Sequence, residues 1–175
     1  MPNWCENKIV IKGPADTIRP LWKKATSSYC GLLGAMVPEP PDLFANTDHE
    51  SGSAPDWHNW HCKNWGCKWE VDTDGLNLKE NTDGTVEIYG TFGSAWNAPL
   101  VAYAKFSDLN KDISIDALFV EVGSDFGGTW NNLSGLEIID NLYDAWVEYE
   151  DNPDNATDLF HRLAGEFKIS EFYSA

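Results

Sequence analysis

Apolar and polar residues alternate from Asn7 to Lys12, with Ile9 and Ile11 set against Lys8, Val10 and Lys12 before Gly13-Pro14 ends the run. That period of two predicts a strand. From Asp16 or Thr17 to about Ser27 the period lengthens: Ile18, Leu21, Trp22 and Ala25 share one face of a helix, with Pro20 tolerated in its first turn. Trp65 to Asp72 predicts a second strand with Trp65, Cys67, Trp69 and Val71 on one side. Thr85 to Phe92 predicts a third, entered through the turn Thr82-Asp83-Gly84. Asn97 to Asp108 reads as a helix with Pro99 in its first turn and Leu100, Val101, Ala104 and Leu109 inward. Ile113 to Val122 reads as a fourth strand. Glu137 to Glu150 then places Ile138, Leu142, Ala145, Trp146 and Tyr149 on one helical stripe. Asn152-Pro153 opens a further helix with Leu159, Phe160 and Leu163 inward and Gly165 as its stop. Phe167 to Tyr173 reads as a short final strand.

The order β-α-(loop)-β-β-α-β is that of two crossovers around a hairpin. It predicts an α+β fold, a ferredoxin-like split βαββαβ sandwich with helices on one sheet face. Residues 1–130 form this domain, interrupted by a proline-rich loop insertion at 38–63, and residues 131–175 form a two-helix C-terminal extension packed on it. The opposite sheet face is left open for a tail or a partner.

Composition narrows the class. The chain has 175 residues, 42% of them hydrophobic and 13% aromatic, which is core-forming material for one domain and not the makeup of a disordered acidic chain. No apolar run approaches the roughly 18 residues of a spanning helix. The opening Met1-Pro2-Asn3-Trp4-Cys5 lacks a basic flank and an apolar stretch, so a cytoplasmic location is expected. With 12 Lys+Arg against 28 Asp+Glu the formal charge is −16, which disfavours direct nucleic-acid binding. In such a chain Cys5, Cys30, Cys62 and Cys67 are expected as reduced thiols.

The segment Asp56 to Trp69 concentrates the chemistry. His58, His61, Cys62 and Cys67 are donors of the types zinc prefers, but they lack the paired spacing of a zinc knuckle. Cys62 or Cys67 beside Lys63 or Lys68 suits a nucleophile, yet no third orienting residue can be named. Trp57, Trp60, Trp65 and Trp69 suit either a core that anchors the loop or a stacking platform. Gly123 to Trp130 is a weak phosphate loop and reads better as a turn or bulge. Toward the C-terminus Asp140, Asp144 and Glu148 fall at i, i+4 and i+8, with Glu150, Asp151, Asp154 and Asp158 following. Like charges at that spacing cost a few tenths of a kcal/mol each. The row is either a solvated face or an imitation of a phosphate backbone.

Several elements together resemble the YubB-like, ferredoxin-like family of phage and plasmid proteins. They are the opening Met1 to Asn7 running into Ile9-Val10-Ile11-Lys12-Gly13, the element Asn64-Trp65-Gly66-Cys67-Lys68-Trp69, the element Phe92 to Pro99, and Glu121 to Gly128. Cys67 stands where the family has Thr, which argues against a family-wide thiolate or zinc role. The resemblance reaches from residue 1 to about 130 in pieces and implies a mobile-element origin. It implies no catalytic residues.

Trp65, Lys68, Trp69, Trp96, Glu121 and Phe126 are candidates for one aromatic pocket with a cation and a carboxylate, suited to a nucleotide or a peptide terminus. The plainer alternative is a Lys68–Glu121 cross-strand pair beside a tryptophan core. Asp140, Asp144, Glu148 and Asp151 are candidates for partner binding. The expectation is a protein without cofactor that inhibits by binding, occluding a host protein that serves defence. Capture of a small nucleotide signal and a thiol- or metal-dependent enzyme are the alternatives.

Overall fold

The alternation around Ile9 and Ile11 produces the central strand of the sheet. β1 (Trp4–Pro14) buries Cys5, Asn7, Ile9 and Ile11 on one face and turns Trp4, Glu6 and Lys8 to the other. The fold is that of a computed structural model describing residues 3–44 and 56–173. After β1 come α1 (Ala15–Ala25) and α2 (Leu32–Met36), then α3 (Asp56–Asn64), β2 (Leu76–Glu80) and β3 (Thr85–Ala95). The chain continues through α4 (Leu100–Leu109), β4 (Ser114–Glu121), β5 (Phe126–Asn131) and β6 (Gly135–Asp140). It ends with α5 (Leu142–Asp151), α6 (Asp158–Phe167) and α7 (Ile169–Tyr173).

All six strands join one antiparallel sheet in the order β2-β3-β1-β4-β5-β6. The first four strands stand in the order β2-β3-β1-β4, which two crossovers around the β2–β3 hairpin produce, so the expected α+β, ferredoxin-like arrangement is present. Ile9 lies between Gly90 and Ala117, and Ile11 between Ile88 and Ile115. Gly90 has φ +143°, and a Cβ there would come within 2.1 Å of the Gly75 carbonyl, so only glycine fits.

Among the described residues two large cores share this sheet, with a small third cluster of Cys5, Ala98 and Phe119. One joins Ile9, Ile11, Ile88 and Ile115 to Ile18 and Leu21 of α1, Leu32 and Leu33 of α2, and Tyr103 of α4. On the other face Leu118 and Val120 of β4 pack with Leu142, Leu159, Phe160, Leu163 and Ile169 of the C-terminal helices. The face expected to be open is thus covered over β4 and β5 by the chain's own tail.

Several elements differ from the sequence expectation. Trp65 to Asp72 is not a strand: Trp65, Cys67 and Val71 are buried alternately by an irregular segment that makes no ladder, and the strand of the hairpin is β2. Within the 38–63 insertion, Asp56–Asn64 is helical, and residues 45–55 lie outside the described residues. In α4 the inward residues are Ala102, Tyr103, Phe106 and Ser107, while Leu109 is exposed, because the helix starts at Leu100 and its face is rotated. The segment expected as one helix from Glu137 is split. Gly135–Asp140 pairs with β5, Asn141 adopts left-handed φ (61°), and only then does α5 begin. Asn152 caps a short 3₁₀ turn, Thr157 caps α6, Gly165 lies inside α6, and the expected final strand is α7. No helix among the described residues is long and apolar enough to cross a membrane.

Candidate functional site

The fold carries the pocket candidates to one end of the sheet, where β1 begins and β3 and β4 end. There the Trp96 N–H donates to the Asn3 carbonyl, and the Asn3 amide donates to Ser124 Oγ at 3.4 Å. The side chains part company at that point. Trp65 is buried, stacks on His61 and donates its indole N–H to the Val37 carbonyl at 2.9 Å. Glu121 is also buried, with Oε1 accepting from the Gly123 N–H at 2.9 Å. Phe126 packs edge-on against Phe119. Trp69 and Trp96 face solvent, and the Lys68 ammonium sits 4.6 Å over the Trp69 ring. The six therefore do not line one pocket, and Lys68 makes no ion pair with Glu121 among the described residues. Trp4, missed in the sequence as a surface aromatic, is 54% exposed and lies 6.2 Å from the Trp69 ring. Its position in an alternating strand next to an inward Cys5 was the available signal. Trp96 is 45% exposed with φ +75°, an uncommon backbone for a bulky residue.

The soft donors are likewise dispersed. Both His61 nitrogens are engaged, Nδ1 with the Lys68 carbonyl at 2.8 Å and Nε2 with Glu39 Oε1 at 2.5 Å. Cys62 Sγ lies 3.9 Å from His58 Nε2, one turn away on α3, and the His58 ring meets Trp57 edge-on. Cys67 is buried and donates to the Trp69 carbonyl. No group of three or more His, Cys, Asp or Glu suited to a metal ion occurs among the described residues. Burial, aided by the Glu70 charge, pushes the Cys67 thiol up to about 12, the reverse of what activates a nucleophile.

Glu39 and Glu70 border a cleft of about 620 Å³ between the end of α1, α2 and the Trp65–Thr73 segment. Glu70 accepts backbone N–H groups of Leu33, Gly34 and Val71 at 2.6–2.9 Å. Burial still pushes its carboxyl above the ordinary value, with those hydrogen bonds opposing the shift. This carboxylate is occupied in holding α2 to the segment before β2. In the sequence it was hidden as the polar member of an apparent strand.

The acidic candidates form the most exposed group. Asp140 closes β6 and does not stand on the helix, so the expected row from Asp140 is shorter by one member. Asp144, Glu148 and Asp151 do share the outer face of α5, at i, i+4 and i+7, beside exposed Tyr143 and Val147. Only Asp144 stands in the first turn, where the helix dipole favours an anion; Glu148, Glu150 and Asp151 crowd the last turns, where it does not. None of these carboxylates, nor Glu137, Asp154 or Asp158, takes part in an ion pair among the described residues. No Lys or Arg occurs between Lys111 and Arg162.

No family model and no curated protein matches the chain. Among solved structures it is similar to protein api92 from Yersinia pseudotuberculosis, of the family DUF1281. The two are 13% identical with a TM-score of 0.46, and the match covers 63% of this chain and 40% of that one.

Proposed function

We propose that the protein binds a basic surface of a partner protein through the acidic face of its C-terminal unit, and that it acts as an inhibitor by occupying a groove built for nucleic acid. The observation that carries this reading is the row Asp144, Glu148 and Asp151 on α5, exposed and without an ion pair among the described residues, in a stretch of sequence without a single Lys or Arg. A surface of one sign attracts and orients a partner of the other over several ångströms and loses that attraction in salt. The local cost of Glu148 and Asp151 near the C-terminus of α5, and of the like charges one turn apart in the row, a few tenths of a kcal/mol each, is offset when a cationic surface meets them. The resemblance to the YubB-like family supports a setting on a phage or plasmid. It makes a host defence component, met in the cytoplasm, the fitting partner.

Affinity capture from host extract with the wild-type chain and with a Asp144→Asn/Glu148→Gln/Asp151→Asn variant tests this. The wild type is expected to retain basic nucleic-acid-binding proteins at about 50 mM salt, to lose them at about 300 mM, and to release them to competing duplex DNA. Retention unchanged by the triple substitution or by salt overturns the reading.

A second reading has one observation in its favour. Exposed Trp4 and Trp69, with the Lys68 ammonium over the latter, present flat apolar rings beside a cation, which suits a nucleobase carrying few phosphates. Under this reading Trp69→Ala abolishes binding of a small nucleotide measured by calorimetry, and the α5 variant leaves it intact.

A further inference from the structure

The sheet ends in two edges that are treated differently. At one, β2 carries Lys79, paired with Glu87 at 3.0 Å, the kind of charge that blunts an edge against further pairing. At the other, β6 (Gly-Leu-Glu-Ile-Ile-Asp) has no Lys and no Pro, and among the described residues it pairs only with β5. Its alternate residues differ sharply in surroundings. Ile139 lies opposite Gly127, where a Cβ would touch Leu163 of α6, so that face is under the C-terminal helices. Leu136 and Ile138 lie opposite Trp130 and Gly128 on the far face, 52% and 46% exposed. A free row of backbone donors and acceptors flanked by two exposed aliphatic side chains is the ingredient list of strand addition.

We propose that β6 accepts an extended segment of the partner as a seventh strand, a segment in which apolar residues alternate with Lys or Arg. The inference rests on the acidic-face reading and deepens it. Backbone pairing with β6 supplies affinity, apolar residues cover Leu136 and Ile138, and basic residues meet Glu137 and the carboxylates that follow on α5. Charge decides between occupants. A second copy of this chain would set Glu137 and Asp140 against their own equivalents in two bodies of charge −16, whereas a basic segment removes that repulsion.

The test uses a capped ten-residue peptide alternating Arg and Val, titrated against the full chain by fluorescence anisotropy at about 20 mM salt. Two companion peptides carry methyl groups on the amide nitrogens of the arginines or of the valines. In an added strand only one of the two sets points at β6, so one methylated peptide is expected to bind at least tenfold more weakly and the other to match the parent. Ile138→Lys is expected to weaken the parent peptide about tenfold; Leu136→Lys serves as the second variant should the first unfold on thermal scanning. Equal binding of both methylated peptides, with loss in the α5 triple variant, overturns strand addition and leaves the acidic-face reading standing. No binding of the parent peptide also overturns strand addition, while the capture experiment still decides the acidic face. A stable dimer of the free chain in native mass spectrometry overturns the choice of occupant.

Discussion

The imidazole of His61 lies flat on the indole of Trp65, with ring centroids 4.0 Å apart and planes inclined by 13°. Its two nitrogens reach the Lys68 carbonyl and Glu39, so one buried ring ties α3, the Pro38–Leu43 turns and the segment before β2 together. His61→Ala removes the stacked ring and both hydrogen bonds that its nitrogens make. It is expected to destabilise the protein by about 3 kcal/mol, read from urea unfolding. His61→Phe, which keeps the stack, is expected to recover part of that loss.

The β2–β3 turn gives a pH dependence of definite sign. Hydrogen bonds from the Thr85 hydroxyl and backbone N–H, then from Lys12, hold the Asp83 carboxyl down at about 2 from an ordinary 3.8. A depressed carboxyl contributes stability above its unfolded value and loses it as pH falls through its folded one. The Asp83 share of stability is therefore expected to disappear between pH 3.8 and about 2. Asp83→Asn is expected to flatten the stability profile across that window, and carbon-detected titration of Asp83 is expected to place its midpoint near the lower end.

Thiol chemistry separates the four cysteines. Burial pushes Cys5 and Cys67 up to about 12, and raises Cys30 less, whereas Cys62 is exposed. Alkylation of the native protein at pH 8 is expected to modify Cys62 first and to leave Cys5 and Cys67 intact until denaturant is added. Peptide mass mapping after a timed quench checks the order.

At the start of α6 the Thr157 hydroxyl accepts the Phe160 N–H at 3.1 Å, and Phe160 is buried in the second core. Thr157→Ala is expected to cost about 1 kcal/mol, read from the thermal unfolding midpoint.

These details show where sequence patterning speaks and where it does not. β1, β3, β4 and α1 are legible because each is long and strictly periodic, with Ile or Val on one face. β2 is five residues, Leu-Asn-Leu-Lys-Glu, too short for its alternation to stand out from the turns around it. The Trp65–Val71 alternation imitates a strand because an irregular segment anchored by Glu70 and the Trp65 indole buries Trp65, Cys67 and Val71, while Trp69 turns outward. β6 was concealed by its successor: Ile138 falls in register with Leu142 and Tyr149 on a helical wheel, and the break rests on the left-handed backbone of Asn141. The Ser134-Gly135 turn and the β-branched pair Ile138-Ile139 were the signals for it. Of the candidate residues, Asp144, Glu148 and Asp151 share a helix face as their spacing required, since i, i+4 and i+7 are local. The six pocket residues reach one end of the sheet, but which way each indole turns depends on packing between distant segments.

Strand β4 gives its odd-numbered side chains, Ile115, Ala117 and Phe119, to one side of the sheet, and Leu118 and Val120 to the other. The tail beyond residue 125 is thus no detachable appendage. Cutting it away would strip Leu118 and Val120 of their cover, and loosening the amino-terminal half would remove the floor on which α6 rests. The two halves are therefore expected to melt as a unit, because a single ribbon of backbone floors both cores.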